Sequence, residues 1–411
     1  MQSRSENTFQ PDKFIYSFQK ALDETLTLGA VPRRLFRVLY PIRVIKAFGR
    51  QRLAVDMEEI LWFLERGIYE IGLKTEEELQ IFFGLDSKSV EKLIGFLKQV
   101  GHIHVSGNGL SLTELGVDSV KESVFYQEQE TNFSLYFEAF GNNPLPQEYF
   151  RIKMCEDISS APGFIPFPPF HREWDPMALQ NLQKRADKSR YGVFEEVTAI
   201  QSSHETTIVY MPIYIVERML GGSDALNAPP FLVFSNVPGY RDGALEQAIN
   251  REPMIHEMLE NPSEDMDNAI ARRLTSLGIK EGGYYIKHKG DLGIEVILDG
   301  TLFTGEEIEK DDSGNPQVMK KTAQQIGKYV LASEWCFWLT CDDPRIRLEA
   351  GVRDCLEWLD RSYSDPTRDD VNLFIELVNK RLNISNAITF QMLQDEARKE
   401  KRPKALDRLA D

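Results

Sequence analysis

The residues whose types could do chemistry are concentrated in one acid-free segment, Val31 to Val55. Guanidinium and ammonium groups bind phosphate oxygens, so a dense run of cations can contact a nucleic-acid backbone. The same run can instead form a solvated face whose cations pair with Glu58, Glu59 or a more distant acidic surface. The cations of this segment are Arg33, Arg34, Arg37, Arg43, Lys46, Arg50 and Arg52.

The apolar residues between these cations indicate which element carries them. Their spacing fits a helix approximately, and the pattern breaks at Tyr40 and Pro41 because proline interrupts a helix. The sequence therefore predicts a helical segment that is interrupted at this point. The apolar residues are Leu35, Phe36, Val38, Leu39, Val44, Ile45 and Phe48.

Two helices are predicted directly after the basic segment. Asp56 can accept the N-terminal hydrogen bonds of a first helix, over residues 57–71, whose apolar positions recur at helical spacing. Thr75 begins a second helix, with Glu78 placed three residues later to complete a capping box. That helix is expected to end at Gly84.

A third helix and a β-hairpin complete this region. Asp86 or Ser87 begins the helix, and Gly101 ends it. Two short apolar runs, 102–105 and 110–112, then flank a tight Gly/Asn turn, which predicts two paired strands. The stretch from Thr113 to Gly116 opens a further helix.

The order of helix, helix, helix and hairpin resembles the winged variant of the helix-turn-helix. The sequence that carries the resemblance is TEEELQIFFGLDSKSVEKLIGFLKQVGHIHVSGNGLSLTELG, in which Leu112, Thr113 and Gly116 are similar to the L-T-x-x-G that follows the wing in many prokaryotic regulators. The resemblance covers about 65 residues and implies a winged-helix fold. It implies either contact with duplex DNA or the docking of another protein, including a second copy.

In DNA-reading members of this family the third helix enters the major groove. The matching positions here offer no arginine, and Glu91 faces roughly the same way as the lysines. Sequence-specific proteins usually place bidentate Arg, Asn or Gln at such positions, so contact would be mainly with the backbone. The positions predicted to contact DNA are Ser87, Lys88, Ser89 and Lys92 on the helix and Asn108 at the tip of the wing.

Other candidate ligand groups do not form recognisable sites. His102 and His104 alternate on a predicted strand, where a histidine pair can bind a metal, but no Cys, Asp or third His completes the set nearby. Both are therefore expected to be residues of the hairpin. Four scattered cysteines indicate free thiols rather than disulfides. No pattern indicates a cofactor or a metal.

The rest of the chain mixes strands with helices and indicates an α/β domain followed by a helical tail. A strand over 132–137, a hairpin of 194–202 with 206–216, a hairpin around residues 289–291 and a helical stretch over 242–277 are predicted. The complete fold prediction is α+β. The predicted segments are an N-terminal extension (1–55), a winged-helix domain (56–125), a connector (126–175), a mixed α/β domain (176–360) and a helical tail (361–411).

The sequence GKYVLASEWCFWLTCDDPRIRLEAGV, from Gly327 to Val352, is similar to the closing part of phospholipase D-like domains. Lys328 matches the family lysine and Glu349 the later glutamate. Ile326 stands where that family has its histidine, and Ser333 stands where it has its aspartate. Since the chemistry needs an imidazole nucleophile, the resemblance implies a domain that binds rather than cleaves.

Composition and charge narrow the classes of partner. The formal net charge is −16, but it divides into −1 over residues 1–125 and −15 over the rest. The total net charge therefore excludes attraction of the whole surface to nucleic acid, but it does not exclude a local contact through the basic segment. No long apolar run indicates a membrane span, and the N-terminus does not resemble a secretory signal, so a cytoplasmic location is expected.

Three functions are compatible with these features. The first is a non-enzymatic adaptor or DNA-contacting subunit of a larger prokaryotic assembly, with double-stranded DNA and protein subunits as partners. Winged helices joined to phospholipase D-like domains resemble components of bacterial antiviral defence systems, so the resemblance implies that this subunit acts in antiviral defence. The second is a phosphodiesterase or nuclease of the phospholipase D-like type. The third is a scaffold whose winged helix forms a homodimer without binding DNA.

Overall fold

The computed structural model describes residues 15–56, 58–107, 109–194, 197–219, 229–303, 322–361, 365–385 and 387–410. These residues form a mixed α+β protein with a helical C-terminal tail, as the sequence predicts. Within them, no helix is both long and apolar enough to cross a bilayer.

The strands are β1 (Pro32–Val55), β2 (Ile103–Ser106), β3 (Gly109–Leu112), β4 (Phe125–Glu138), β5 (Ile165–Pro166), β6 (Val197–Arg218), β7 (Phe231–Phe234), β8 (Tyr284–Gly290), β9 (Gly293–Leu298), β10 (Lys328–Ala332) and β11 (Trp335–Cys341). The helices are α1 (Phe18–Thr27), α2 (Glu59–Arg66), α3 (Glu76–Phe83), α4 (Ser87–Gln99), α5 (Glu114–Glu122), α6 (Met177–Gln183), α7 (Gly243–Arg251), α8 (Pro253–Glu260), α9 (Met266–Ser276), α10 (Pro344–Arg361), α11 (Arg368–Leu382), α12 (Phe390–Lys399) and α13 (Pro403–Arg408).

The chain divides into two compact units. The larger unit comprises Met1–Tyr40, Asp157–Phe167 and Pro212–Asp411, and the smaller unit comprises Pro41–Glu156 and Pro168–Met211. The long strands β1 and β6 each contribute residues to both units.

The larger unit contains a mixed sheet with the strand order β7–β6–β1–β11–β9–β8, and β10 pairs with the remaining edge of β11. β8 and β9 form an antiparallel hairpin, as do β10 and β11, whereas β9 and β11 run parallel. The hairpin predicted around residues 289–291 is confirmed. The sheet core is apolar because Val296, Leu298, Phe337 and Leu339 are fully buried.

The basic segment is a strand and not the helix that its sequence predicts. β1 pairs with β4 over Ile42–Val55, so its residues alternate between two faces of a ribbon instead of following a helical period. The apolar residues of this segment include several β-branched and aromatic side chains, which favour strands once a partner strand is present. Pro41 has no N–H to donate, but its carbonyl accepts a hydrogen bond from the backbone N–H of Ala139.

The hairpin predicted for 194–202 and 206–216 is also wrong. A single strand, β6, passes through residues 203–205 without turning. The tripeptide Ser-His-Glu contains none of the glycine or Asn-Gly chemistry that a tight hairpin turn requires. The strand predicted over 132–137 is confirmed and is longer, since it forms part of β4.

The helical tail packs on α10 through buried apolar side chains. Leu356 and Leu359 of α10 are fully buried, as are Leu393 of α12 and Ala405 of α13. The charged C-terminal end forms α13 and is anchored. The guanidinium of Arg408 donates to the carbonyl of Leu359, which ties the end of the chain to α10.

In the smaller unit, the helices and hairpin of residues 59–122 begin and end close to their predicted positions. Thr75 and Glu78 form the predicted capping box of α3, which ends at Gly84 with φ 65°. Asp86 accepts a hydrogen bond from the backbone N–H of Ser89 and begins α4. The predicted cap at Asp56 is wrong, because the residue before α2 is Glu58 and its side chain makes no capping bond.

Candidate functional site

The predicted phosphate-binding cations of the larger unit differ in burial and in their partners. Arg34 is buried, with 3% of its surface exposed, and its Nε donates to the carboxylate of Glu217. Arg33 binds the other oxygen of the same carboxylate at 3.2 Å. Glu334 lies 3.8 Å from Arg34 as a second acidic partner. Of Arg33, Arg34 and Arg37, only Arg37 is exposed and has no partner among the described residues.

The cations of the smaller unit are also engaged. Arg43 is buried and donates to the backbone carbonyl of Arg172 at 2.6 Å, and burial lowers the pKa of its guanidinium. Arg52 binds Asp118 at 2.9 Å, and Arg50 lies 3.9 Å from Glu128 on the paired strand β4. Lys46 is exposed. The partners of Arg50 and Arg52 are acids far away in the sequence, and Glu58 and Glu59 are not among them.

The predicted contacts on the third helix are at the surface. Ser87, Lys88 and Lys92 are exposed on α4, whereas the hydroxyl of Ser89 donates to Asp86 at 2.6 Å. Asn108 lies outside the described residues. α4 therefore presents two lysines together with the exposed carboxylate of Glu91.

Several residues that the sequence did not single out carry large apolar side chains that are exposed in this unit. Large apolar side chains are exposed on α2, on the π-helical turn Gly67–Ile71 that continues it, and on α3. Ile81 is 84% exposed, and large exposed apolar areas in soluble proteins commonly mark interaction sites. The exposed apolar side chains are Phe63, Tyr69, Ile71, Ile81 and Phe82.

Acidic residues lie among these apolar side chains. Glu58, Glu59, Glu70, Glu77 and Glu78 are all exposed on the same elements. We call these ten residues the apolar–acidic surface. The signal for it was present in the sequence, because Ile81 and Phe82 lie outside the stripe that Leu79 and Phe83 place toward the core.

His102 is a buried residue that connects the hairpin to α2, which its position in the sequence does not indicate. Its ring is fully buried, with Nδ1 2.5 Å from Glu65 of α2 and Nε2 in contact with the carbonyl of Tyr126. It precedes β2, while His104 lies on that strand and is exposed. The two rings do not share a face. Within the described residues, no group of three His, Cys, Asp or Glu side chains could hold a metal.

The residues matched to phospholipase D-like domains do not converge on a reactive group. Lys328 binds Glu357 at 2.8 Å, and Ser333 donates to Glu264 at 2.6 Å. Ile326 is buried, and Glu349 is exposed on α10. The four cysteines are free and buried, and burial raises the pKa of each thiol, which makes them poor nucleophiles.

The larger unit contains a polar cleft of about 960 Å³. Its floor is the face of three neighbouring strands, β8, β9 and β11. Alternate residues of each strand line it, and the strand register aligns them in two rows. One row is Lys287, Glu295 and Trp338, and the other is Tyr285, Ile297 and Thr340.

Helix ends form the walls of this cleft. The C-terminal turn of α11 contributes Lys380 and Arg381, and the loop after α1 contributes Gly29. Arg347 lies at the carboxyl end of β11, where its guanidinium donates to the carbonyls of Cys341 at 2.8 Å and Asp342 at 3.0 Å. Ligands of α/β sheets commonly bind at the carboxyl ends of parallel strands, which is the position of this wall.

The sequence of the chain matches no protein-family model, and comparison with curated proteins and with solved structures gives no significant match.

Proposed function

We propose that the chain is an adaptor subunit of a larger assembly and docks a protein partner through the apolar–acidic surface. The region 56–121 would be a winged-helix module used for protein contact. The order of α2, α3, α4 and the β2–β3 hairpin, with the capping box of Thr75 and the stop at Gly84, supports this assignment.

The single observation that carries the proposal is the exposure of large apolar side chains on α2, the π-helical turn and α3. Burying a side chain of the size of Ile81 or Phe82 contributes roughly 1.5–3 kcal/mol. A partner that covers several of them gains most of the free energy of a specific complex. A phosphate backbone offers no apolar surface that would cover them.

The acidic residues define the chemistry of the partner. Two of the five exposed carboxylates are engaged within the fold, since Glu70 binds Arg66 at 2.8 Å and Glu78 caps α3. The other three, those of Glu58, Glu59 and Glu77, repel DNA phosphates and attract lysine and arginine. The partner is therefore a protein segment that combines apolar side chains with basic ones. Its association with this surface should weaken as salt screens the carboxylates.

The test is purification of the tagged full-length chain from its native host, with identification of proteins that copurify in fixed stoichiometry. The double variant Ile81→Ser, Phe82→Ser should lose the partner, because both changes remove apolar area without touching the buried core. The matched control Leu373→Ser, Met254→Ser removes exposed apolar residues from other helices and should retain it. Equal recovery with both double variants would refute docking at this surface.

DNA contact is the second candidate, and the exposure of Lys88 and Lys92 on α4 favours it. Fluorescence anisotropy with a labelled duplex at 50–200 mM salt distinguishes the two. Binding that falls steeply with salt, and is abolished by Lys88→Glu with Lys92→Glu but not by the Ile81/Phe82 variant, would replace the docking proposal. Dimerisation lost in the Ile81/Phe82 variant would instead identify the partner as a second copy.

A further inference from the structure

The floor of the polar cleft is close to electrically neutral. The ammonium of Lys287 lies 3.3 Å from Glu295, so the two charges offset each other. Glu295 also accepts a hydrogen bond from the backbone N–H of Leu292. Tyr285 adds an aromatic ring that is 57% exposed, and Thr340 adds a hydroxyl group.

The walls, by contrast, carry more positive than negative charge. Among the described residues, neither Lys380 nor Arg381 forms an ion pair, although the charge of Arg381 also acts on the carboxyl groups of Asp23 and Asp354. The guanidinium of Arg347 is held by backbone carbonyls. The acids that face the cleft besides Glu295 are Asp291 and Asp342. One oxygen of Asp342 accepts a hydrogen bond from the backbone N–H of Gly300 at 2.7 Å.

This combination fits a ligand with an anionic end and a flat end. Lys380 and Arg381 both line the cleft, and cationic side chains can bind a phosphate group through charge-assisted hydrogen bonds. An exposed tyrosine ring offers a stacking surface for a base. The volume of about 960 Å³ is within the range of small-molecule sites and admits a molecule of this size.

We propose that the cleft binds a nucleoside monophosphate, with the phosphate at Lys380 and Arg381 and the base against Tyr285. The carboxylate of Asp291 is available to accept hydrogen bonds from the sugar hydroxyls. This site belongs to the larger unit, and it does not depend on the docking function proposed for the smaller one.

Isothermal titration calorimetry of the full chain at low salt tests the proposal with adenosine monophosphate, ribose 5-phosphate and adenosine. Saturable binding of the monophosphate at one site is expected, with weaker binding of the other two because each lacks one end of the ligand. Lys380→Gln should weaken binding of both phosphates about tenfold, since it removes a charged hydrogen bond. Tyr285→Ala should weaken binding of adenosine monophosphate and leave ribose 5-phosphate unchanged.

The control is Lys399→Gln, which removes the same charge from an exposed position on α12 and should bind as the parent does. Lys380 is exposed, so its variant should keep the circular dichroism spectrum and melting temperature of the parent. Absence of saturable binding of both phosphates at millimolar concentration overturns the proposal. Equal affinities of Lys380→Gln and Lys399→Gln for adenosine monophosphate also overturn it.

Discussion

Asp354 of α10 should make the stability of the protein depend on pH in an unusual direction. Burial raises the pKa of its carboxyl group from 3.8 to about 6, against the opposing effect of Lys328. The nearby carboxylates of Asp23 and Glu357 add to the rise, and Arg381 opposes it. The native state therefore holds the Asp354 proton at pH values where an unfolded chain releases it.

The sign and size of the effect follow from linkage. A carboxyl group whose pKa is higher in the folded state favours folding below the unfolded value of 3.8, and this contribution is lost as pH rises toward 6. One pKa unit corresponds to about 1.4 kcal/mol, so the full loss is about 3 kcal/mol. Replacement by asparagine removes the charge and keeps the shape. Asp354→Asn should therefore raise the free energy of unfolding by up to about 3 kcal/mol at pH 7.

Urea denaturation at pH 3.5, 5, 6 and 7 measures this effect. The stability difference between Asp354→Asn and the parent should be near zero at pH 3.5 and should grow through the interval from pH 4 to 6. Asp407→Asn, the same change at an exposed carboxylate on α13, should stay within about 0.5 kcal/mol at every pH. A difference for Asp354→Asn that is independent of pH, or a loss of stability at pH 7, would refute this reasoning.

Two further predictions each compare two residues of the same type in different environments, Arg34 with Arg37 and Gly109 with Gly95. Arg34→Met should lower the free energy of unfolding, measured by urea denaturation, by about 3 kcal/mol, because it leaves the largely buried carboxylate of Glu217 without its main partner. The control Arg37→Met changes an exposed residue and should alter the free energy of unfolding little. Gly109→Ala should lower the melting temperature, since φ is 100° and a Cβ would lie 2.5 Å from the carbonyl of Lys74. Gly95→Ala in α4 meets nothing within 4 Å and should stabilise its helix, so equal melting temperatures for the two glycine variants would contradict this account.

Local signals in the sequence were sufficient for the helices and hairpin of residues 59–122. A capping box such as that of Thr75 and Glu78 acts within four residues, and the stop at Gly84 needs only a positive φ. The core of this region follows the helical period, with Leu79, Val90 and Ile94 buried as their spacing predicts. The winged-helix assignment itself stays a proposal.

Strands whose partners are distant in sequence were harder to predict. The apolar spacing of β1 is compatible with a helix and with a strand over short stretches. The strand that decides between them, β4, begins 70 residues after β1 ends. The sequence predicts two strands where β6 is one, since nothing local shows how far a strand continues alongside its neighbour.

The sequence by itself determined the helices and hairpin of residues 59–122 and the α+β class, because these depend on nearby residues or on composition. The tertiary structure alone decided what the cations between Val31 and Val55 do. It places Glu217 against Arg34 and Asp118 against Arg52, so that charges which seemed available for phosphate are neutralised within the fold. It also brings β8, β9, β11 and α11 together around one cleft, where cations from distant parts of the chain converge on a single volume.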